Sequence, residues 1–393
     1  MTGHGPKIGS GCAGLRLGLG RVTGLFTTLL TSLMAACASP GAGPGATPDG
    51  AADARQPPDG LAYYAQSLRG HIDLMQRARP LEDWLADTAT PAALRQRLQQ
   101  ARQMRDFAVR ELGLPDNASY RRYADLGRGA VVWNVVAAPE LSLTLKTWCY
   151  PLMGCVGYRG YFDRADADAE ARRQRQAGLE ALVYGVPAYS TLGWTNWLGG
   201  DPLLNTFVGG SEAALARLIF HELAHQVAYA ADDTTFNESY ATAVERLGLA
   251  RWLATSGRAD EDPFARQRMA DFRALTGAAR QTLQALYASD LPDAQKRQRK
   301  AAVMAALQAD YRALKAAGHG PWAGLNGFSG FDAWFDRVNN AALALQAAYD
   351  GLVPDFERLF ERNGRDFGRF HAEVRRLARL PRAERHATLQ AAP

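Results

Sequence analysis

Residues 220–226 read Phe220-His221-Glu222-Leu223-Ala224-His225-Gln226, and residues 236–245 read Phe236-Asn237-Glu238-Ser239-Tyr240-Ala241-Thr242-Ala243-Val244-Glu245. His221 and His225 stand four apart, so on a helix both imidazoles leave one face and can grip a single metal ion. Glu222 follows the first histidine, where its carboxylate can take a proton from water at that ion. The pattern has this meaning only if the segment is helical. Gly210-Ser211 offers an N-cap, Glu212 sits in the first turn, and an apolar run continues through Tyr229. The bland alternative is a buried helix with two core histidines. A carboxylate among Leu218, Ile219, Phe220, Leu223, Ala224, Val227 and Ala228 is costly without a partner or a task. The metal reading is the better one.

The chain has 393 residues, room for one large domain or two ordinary ones, and its 47% hydrophobic and 22% charged residues are an ordinary globular composition. Its formal charge is +5, but Lys7, Arg16 and Arg21 precede Cys37 with no acidic residue among them, and without them the charge is +2. That leaves no basic excess to argue for nucleic acid as a partner.

The N-terminal residues carry an export pattern. After that basic lead, Val22 to Ala36 is apolar but short for a spanning helix, and it ends Leu33-Met34-Ala35-Ala36-Cys37. Small residues running into a cysteine resemble a bacterial lipoprotein cleavage site, with Cys37 as the lipidated residue and membrane anchor. Met34 departs from the usual residue there, and ordinary secretion with a cut after Ala38 is the competing reading. Ala38, rather than an acid, resembles the outer-membrane form of the signal in Gram-negative bacteria, which places the protein in the cell envelope facing the periplasm. Residues 37–58, rich in Gly, Ala and Pro, read as a flexible tether. The chain thus divides into a signal peptide at 1–36, a tether at 37–58 and a domain at 59–393. Only Cys149 and Cys155 remain after Cys37, and an exported chain with two cysteines so close is expected to join them.

Helical spacing runs from Leu61 to Arg77 and from Thr90, as N-cap, to about Leu112. Ala130–Val136, Leu141–Thr147, Tyr158–Phe162 and Leu182–Thr191 have strand character, with a helix from about Asp166 to Ala177 between the last two. After Ser211 the pattern is helical: Asn237–Thr255, Pro263–Ala288, Asp293–Ala317, Phe331–Tyr349 and shorter pieces. Lys296, Arg297, Arg299 and Lys300 read as a solvated face. The fold class expected is α+β, predominantly α-helical, with a small sheet beside the metal helix.

Taken in order, several stretches resemble one family. They are Tyr63-Tyr64, Trp148-Cys149 through Gly154-Cys155, Tyr158-Arg159-Gly160-Tyr161-Phe162, and Ala188-Tyr189-Ser190-Thr191-Leu192-Gly193-Trp194. Asp201-Pro202, residues 220–226, residues 236–245 and Asn339-Asn340-Ala341 continue the set. The chain resembles the bacterial predicted-aminopeptidase family, zinc-motif lipoproteins of Gram-negative bacteria. The resemblance implies a gluzincin-like core, a Zn²⁺ cofactor and a peptide substrate, with a glutamate on the next helix as third ligand. Two glutamates compete for that place. Glu245 follows His225 at the spacing familiar in gluzincins, and Glu238 follows it after a shorter one. Asn237-Glu238-Ser239-Tyr240-Ala241 resembles the ligand turn of gluzincin aminopeptidases, which favours Glu238. Glu245 is then a supporting carboxylate, and Thr242 is placed to hydrogen-bond a ligating histidine. Tyr189, Tyr240 and Tyr349 are candidates for the donor that a developing oxyanion needs. Residues 188–193 have the character of an edge strand for substrate. Arg159 is open to two readings, a contact with a substrate carboxylate or a structural ion pair.

Overall fold

Ser211 and Asp233 start the two helices on which the fold is built. The Ser211 hydroxyl accepts from Ala214 N at 3.1 Å, and the Asp233 carboxylate accepts from Phe236 N at 3.2 Å. The computed structural model describes residues 60–150, 154–188, 199–257, 264–317, 320–322 and 330–391, all within one compact unit. Residues 1–59 with Cys37, and residues 189–198 with Tyr189, lie outside the described ones.

In chain order the helices are α1 (Gly60–Arg77), α2 (Leu81–Ala86), α3 (Ala92–Leu112), α4 (Arg164–Gln176), α5 (Asn205–Val208), α6 (Glu212–His225) and α7 (Thr234–Ser256). They continue with α8 (Ala265–Ala288), α9 (Asp293–Ala316), α10 (Gly330–Phe335), α11 (Asn340–Asp350), α12 (Val353–Arg362), α13 (Phe367–Ala378) and α14 (Arg382–Gln390). The strands are β1 (Arg79–Pro80), β2 (Arg122–Ala124), β3 (Val132–Pro139), β4 (Trp148–Tyr150), β5 (Gly154–Val156), β6 (Arg159–Tyr161), β7 (Leu179–Val186) and β8 (Leu203–Leu204). They form three small sheets, ordered β1-β2-β8, β6-β3-β7 and β4-β5. The chain is α+β and mostly helical. Among the described residues no helix is long and apolar enough to cross a membrane.

Helices α6 and α7 run antiparallel, because Glu212 meets Trp252, His221 meets Glu245 and His225 meets Glu238. Helix α3 covers one side of the pair, with Phe107 against Phe220 and Trp252. The approach is close: a Cβ at Gly248 would lie 2.8 Å from Leu112 and 2.9 Å from Phe220. On the other side, Ser239 Oγ donates to Ala348 O at 3.2 Å and accepts from Leu352 N at 3.1 Å, which seats α11 and α12 on α7. Residues 236–244 of α7 are therefore buried all round, although four of them are Asn, Glu, Ser and Thr. Buried polar side chains need partners.

The loop 226–233 between the two helices is held at several points. Asn237 accepts from Ala230 N and donates to Ala230 O, both at 2.8 Å. Asp233, fully buried, meets Arg385 and, at 2.8 Å, His386 Nε2, both on α14. Asp232 has φ +64° and its carboxylate accepts from Cys155 N. Cys149 and Cys155 are joined by a disulfide across the β4–β5 hairpin, which thereby rests on this loop.

Several expectations are corrected. Residues 141–147 form no strand, since β6 and β7 already flank β3, and their backbone meets it at two isolated points, Ser142 N at Pro139 O and Lys146 N at Ala137 O. The metal helix stops at His225 rather than running to Tyr229, with Gln226 at its C-cap. Phe331–Tyr349 is two helices, the second capped by Asn339, whose side chain accepts from Ala342 N at 2.9 Å. Thr90 is not the cap of α3; Pro91 stands there. Lys300 is no part of a solvated face: it is buried, bonded to Glu180 and to Glu140 O, and it joins the α8–α9 hairpin to the sheet.

Candidate metal centre

The last two turns of α6 carry His221, Glu222 and His225, and the first turns of α7 carry Glu238 and Glu245. His221 Nε2 lies 3.2 Å from His225 Nε2 and 3.3 Å from Glu238 Oε2, and His225 Nε2 lies 3.6 Å from the same oxygen. A tetrahedral zinc ion with bonds of about 2.0–2.1 Å has ligand–ligand edges of about 3.4 Å. The triangle therefore has the size of one face of such a site. Two imidazoles and a carboxylate suit zinc, and three protein donors leave a fourth position for water or substrate, as catalytic sites require. Among the described residues this is the one group of three such side chains placed to hold an ion.

Glu245 sets the tautomer. Its Oε2 accepts from His221 Nδ1 at 3.0 Å, so Nδ1 keeps its proton and Nε2 is the nitrogen that gives up its own to ligate. Burial opposes a positive charge on His221, but Glu238 and Glu245 outweigh it and hold its pKa well above the usual value. Burial likewise opposes a charge on Glu238, yet His225 and His221 hold its carboxyl down to about 2. The cluster attracts positive charge, of the kind a dication carries.

Tyrosines surround the centre. The Tyr349 ring stacks on His221 with centroids 6.2 Å apart. Burial pushes the phenols of Tyr158, Tyr184 and Tyr349 up, and the Glu238 charge adds to each. The Glu222 charge adds to the same shift at Tyr158 and Tyr349. The sheet places them: Asn134 and Tyr184 are register partners, and Asn134 Nδ2 donates to the Tyr184 oxygen at 3.3 Å. Tyr158 and Tyr184 pack with Ala341 and Leu345 of α11, and Tyr349 follows Leu345 by one turn.

Residues 62–389 match the family model described as "Putative aminopeptidase". The chain belongs to this family. No curated protein and no solved structure matches it. The aminopeptidase family's description points to a peptidase, and the match covers every residue of the centre.

Of the side chains anticipated from sequence, His221, His225, Glu238, Glu245 and Tyr349 meet at the centre, and Glu222 follows His221 on α6. Two do not act as expected, and Arg159 takes the second of its two readings. Tyr240 is a core residue whose hydroxyl meets His371 Nδ1 at 2.8 Å. Thr242 serves neither histidine: His221 Nδ1 goes to Glu245, and buried His225 Nδ1 has no hydrogen-bond partner among the described residues. Arg159 is buried, 3.9 Å from Glu170 and stacked over Tyr63, which makes it structural. Sequence reasoning missed Tyr158 and Tyr184. The alternation Leu182-x-Tyr184 opposite Asn134-x-Val136 was the available signal for the second.

Proposed function

We propose that the chain is a zinc-dependent peptidase with His221, His225 and Glu238 as metal ligands and Glu222 as general base. The triangle of donors with a carboxylate beside it carries this reading. A zinc ion bound there supplies Lewis acidity toward water and toward a peptide carbonyl. Glu222 takes the proton from the attacking water and passes it to the leaving amine. Tyr349, protonated and stacked on His221, donates a hydrogen bond to the carbonyl oxygen as negative charge builds on it. Glu245 keeps the His221 ring oriented. Tyr158 and Tyr184 close off water behind them.

Zinc content and peptide hydrolysis of the wild type and Glu222→Gln test this. The variant should keep its zinc and lose about 10²–10⁴-fold in rate. Equal activity in both, or an inactive wild type with tightly held zinc, overturns it.

The family's description favours action at a free N-terminus. An endopeptidase is the second reading, favoured because Glu222, Glu238 and Glu245 all have tasks other than meeting a substrate ammonium. Blocking the N-terminus of a good substrate separates them, since undiminished cleavage excludes an aminopeptidase.

The protein works in the cell envelope, anchored through Cys37. Cys37→Ser should abolish labelling by a palmitate analogue, and an unlabelled, soluble wild type would decide for ordinary secretion.

A further inference from the structure

Helix α1 packs on the protein by one face. The Tyr63 ring meets Tyr161 edge-on with centroids 5.6 Å apart, and Gln66 Oε1 accepts from Phe162 N at 3.2 Å. The approach is closest at Gly70, where a Cβ would lie 2.1 Å from the Phe162 ring. Leu74 is buried, and Arg122 donates to Met75 O and Ala78 O just beyond it. Tyr64, Leu68 and Ile72 stand four apart, so they share a second face, and it is open to solvent: the three are 42%, 57% and 45% exposed. Among the described residues only one other large hydrophobic side chain, Phe264, is exposed in this way. Single exposed apolar residues are ordinary, whereas a contiguous stripe on one helix marks a surface for something else to cover. Ala65 and Arg69, both exposed, border the stripe.

We infer that α1 is a membrane-docking helix: Tyr64, Leu68 and Ile72 rest in the headgroup boundary of a phospholipid bilayer. Two observations select a bilayer over a protein partner. The stripe is small. Three side chains about half exposed offer on the order of 300 Å², well under the ~800 Å² per partner of a stable protein interface, a second copy of this chain included. The stripe also has a telling place in the chain. Residues 38–59 separate Cys37 from α1, and a chain of that length spans at most about 80 Å. The docking presupposes the lipid anchor proposed above. Three residues do not recruit a free protein, but beside an anchor they meet the surface in an intramolecular event. Tyrosine suits the boundary, with its ring among the acyl chains and its hydroxyl among the headgroups. Arg69 follows Leu68 and reaches a headgroup phosphate with its stem laid along the lipid. Asp73, the acid on the exposed side, is paired with Arg77 at 3.1 Å and repels no phosphate. The domain thereby has two points of attachment to the membrane instead of one.

The test uses the chain from residue 37 with Cys37→Ser and an N-terminal histidine tag. A nickel-chelating lipid holds it on vesicles of phosphatidylethanolamine and phosphatidylglycerol, so natural lipidation is not needed. Cys149 and Cys155 are joined, so Ala65→Cys supplies a single free thiol for an environment-sensitive NBD label. On the vesicles its emission should shift to the blue and rise about twofold or more, as at a lipid boundary. The same label at Ala302→Cys, exposed on α9, should not change. Tyr64→Gln, Leu68→Gln and Ile72→Gln together should remove the gain and leave the denaturation midpoint unchanged, since glutamine suits an exposed helix. No change on vesicles, or a gain that survives the triple substitution, overturns the docking. So does a shift already present without vesicles: at low protein concentration it means that another part of the chain covers the stripe, and if it grows with concentration, a second copy does. A wild type that takes up no palmitate analogue overturns the anchor alone, while the vesicle measurement still decides whether the stripe meets lipid.

Discussion

At the scale of single residues, the two glutamates of α7 divide the two nitrogens of one imidazole. Glu238 approaches Nε2 of His221 and Glu245 holds Nδ1. Substitution should separate the roles: Glu238→Ala loses most of the bound zinc, whereas Glu245→Gln keeps the site and weakens zinc affinity about 10–100-fold. Metal analysis after dialysis against a graded chelator checks both, and the reverse order would reassign the ligand. His221, Glu222 and His225 were legible because a helix turns a spacing of four into a shared face. Glu238 was legible from its Asn-Glu neighbours rather than from distance along the chain. The Thr242 expectation failed on reach. A threonine hydroxyl stays near its own backbone, while the longer Glu245 side chain extends to the ring from one turn further on. Tyr184 was illegible because its place depends on register with β3, which no local pattern fixes.

At the scale of elements, the loop 226–233 decides whether α6 and α7 face each other in the right register. The Asn237 amide pairs with both polar groups of Ala230 as another strand would. Asn237→Ala leaves a buried peptide N–H and C=O unmet, so it should cost about 2–5 kcal/mol and lower zinc affinity with it. Chemical denaturation with and without zinc measures both; a stable variant with loose zinc would show that Asn237 acts on the site alone. The disulfide hairpin leans on the same loop through Cys155 N and Asp232. Cys149→Ala with Cys155→Ala should lower stability by about 2 kcal/mol in the chain-entropy account. Reduction of the wild type should do the same. Helix positions were readable from periodicity, and their ends less so. The metal helix ends at His225 although the apolar run goes on, because Asn117 and Ser119 draw the Gln226 side chain away.

At the scale of the whole molecule, long-range ties decide stability. His371 on α13 donates from Nε2 to Leu112 O of α3 and accepts at Nδ1 from the Tyr240 hydroxyl of α7, both at 2.8 Å. Burial pushes its pKa from 6.5 down to about 4. The unfolded chain therefore takes up a proton below 6.5 that the folded one refuses. Stability is full above pH 6.5, falls as the pH drops toward about 4 and levels off below that. The loss should reach roughly 3 kcal/mol, and His371→Gln, with no proton to gain, should remove that part of the pH dependence of the denaturation midpoint. Lys300 shows why such ties were illegible: its helix pattern marks a solvated face, and only the arrival of Glu180 and Glu140 buries it. The clamp on Asp233 has a consequence in time. Arg385 stands 152 positions after Asp233. At roughly 5–20 residues per second of synthesis, the guanidinium leaves the ribosome about 8–30 s after the carboxylate it neutralises. Through that interval both ligand-bearing helices exist, but the link between them carries an acid that cannot yet be buried. On the zinc reading proposed above, the ion is then taken up after synthesis, in the compartment where the finished domain folds.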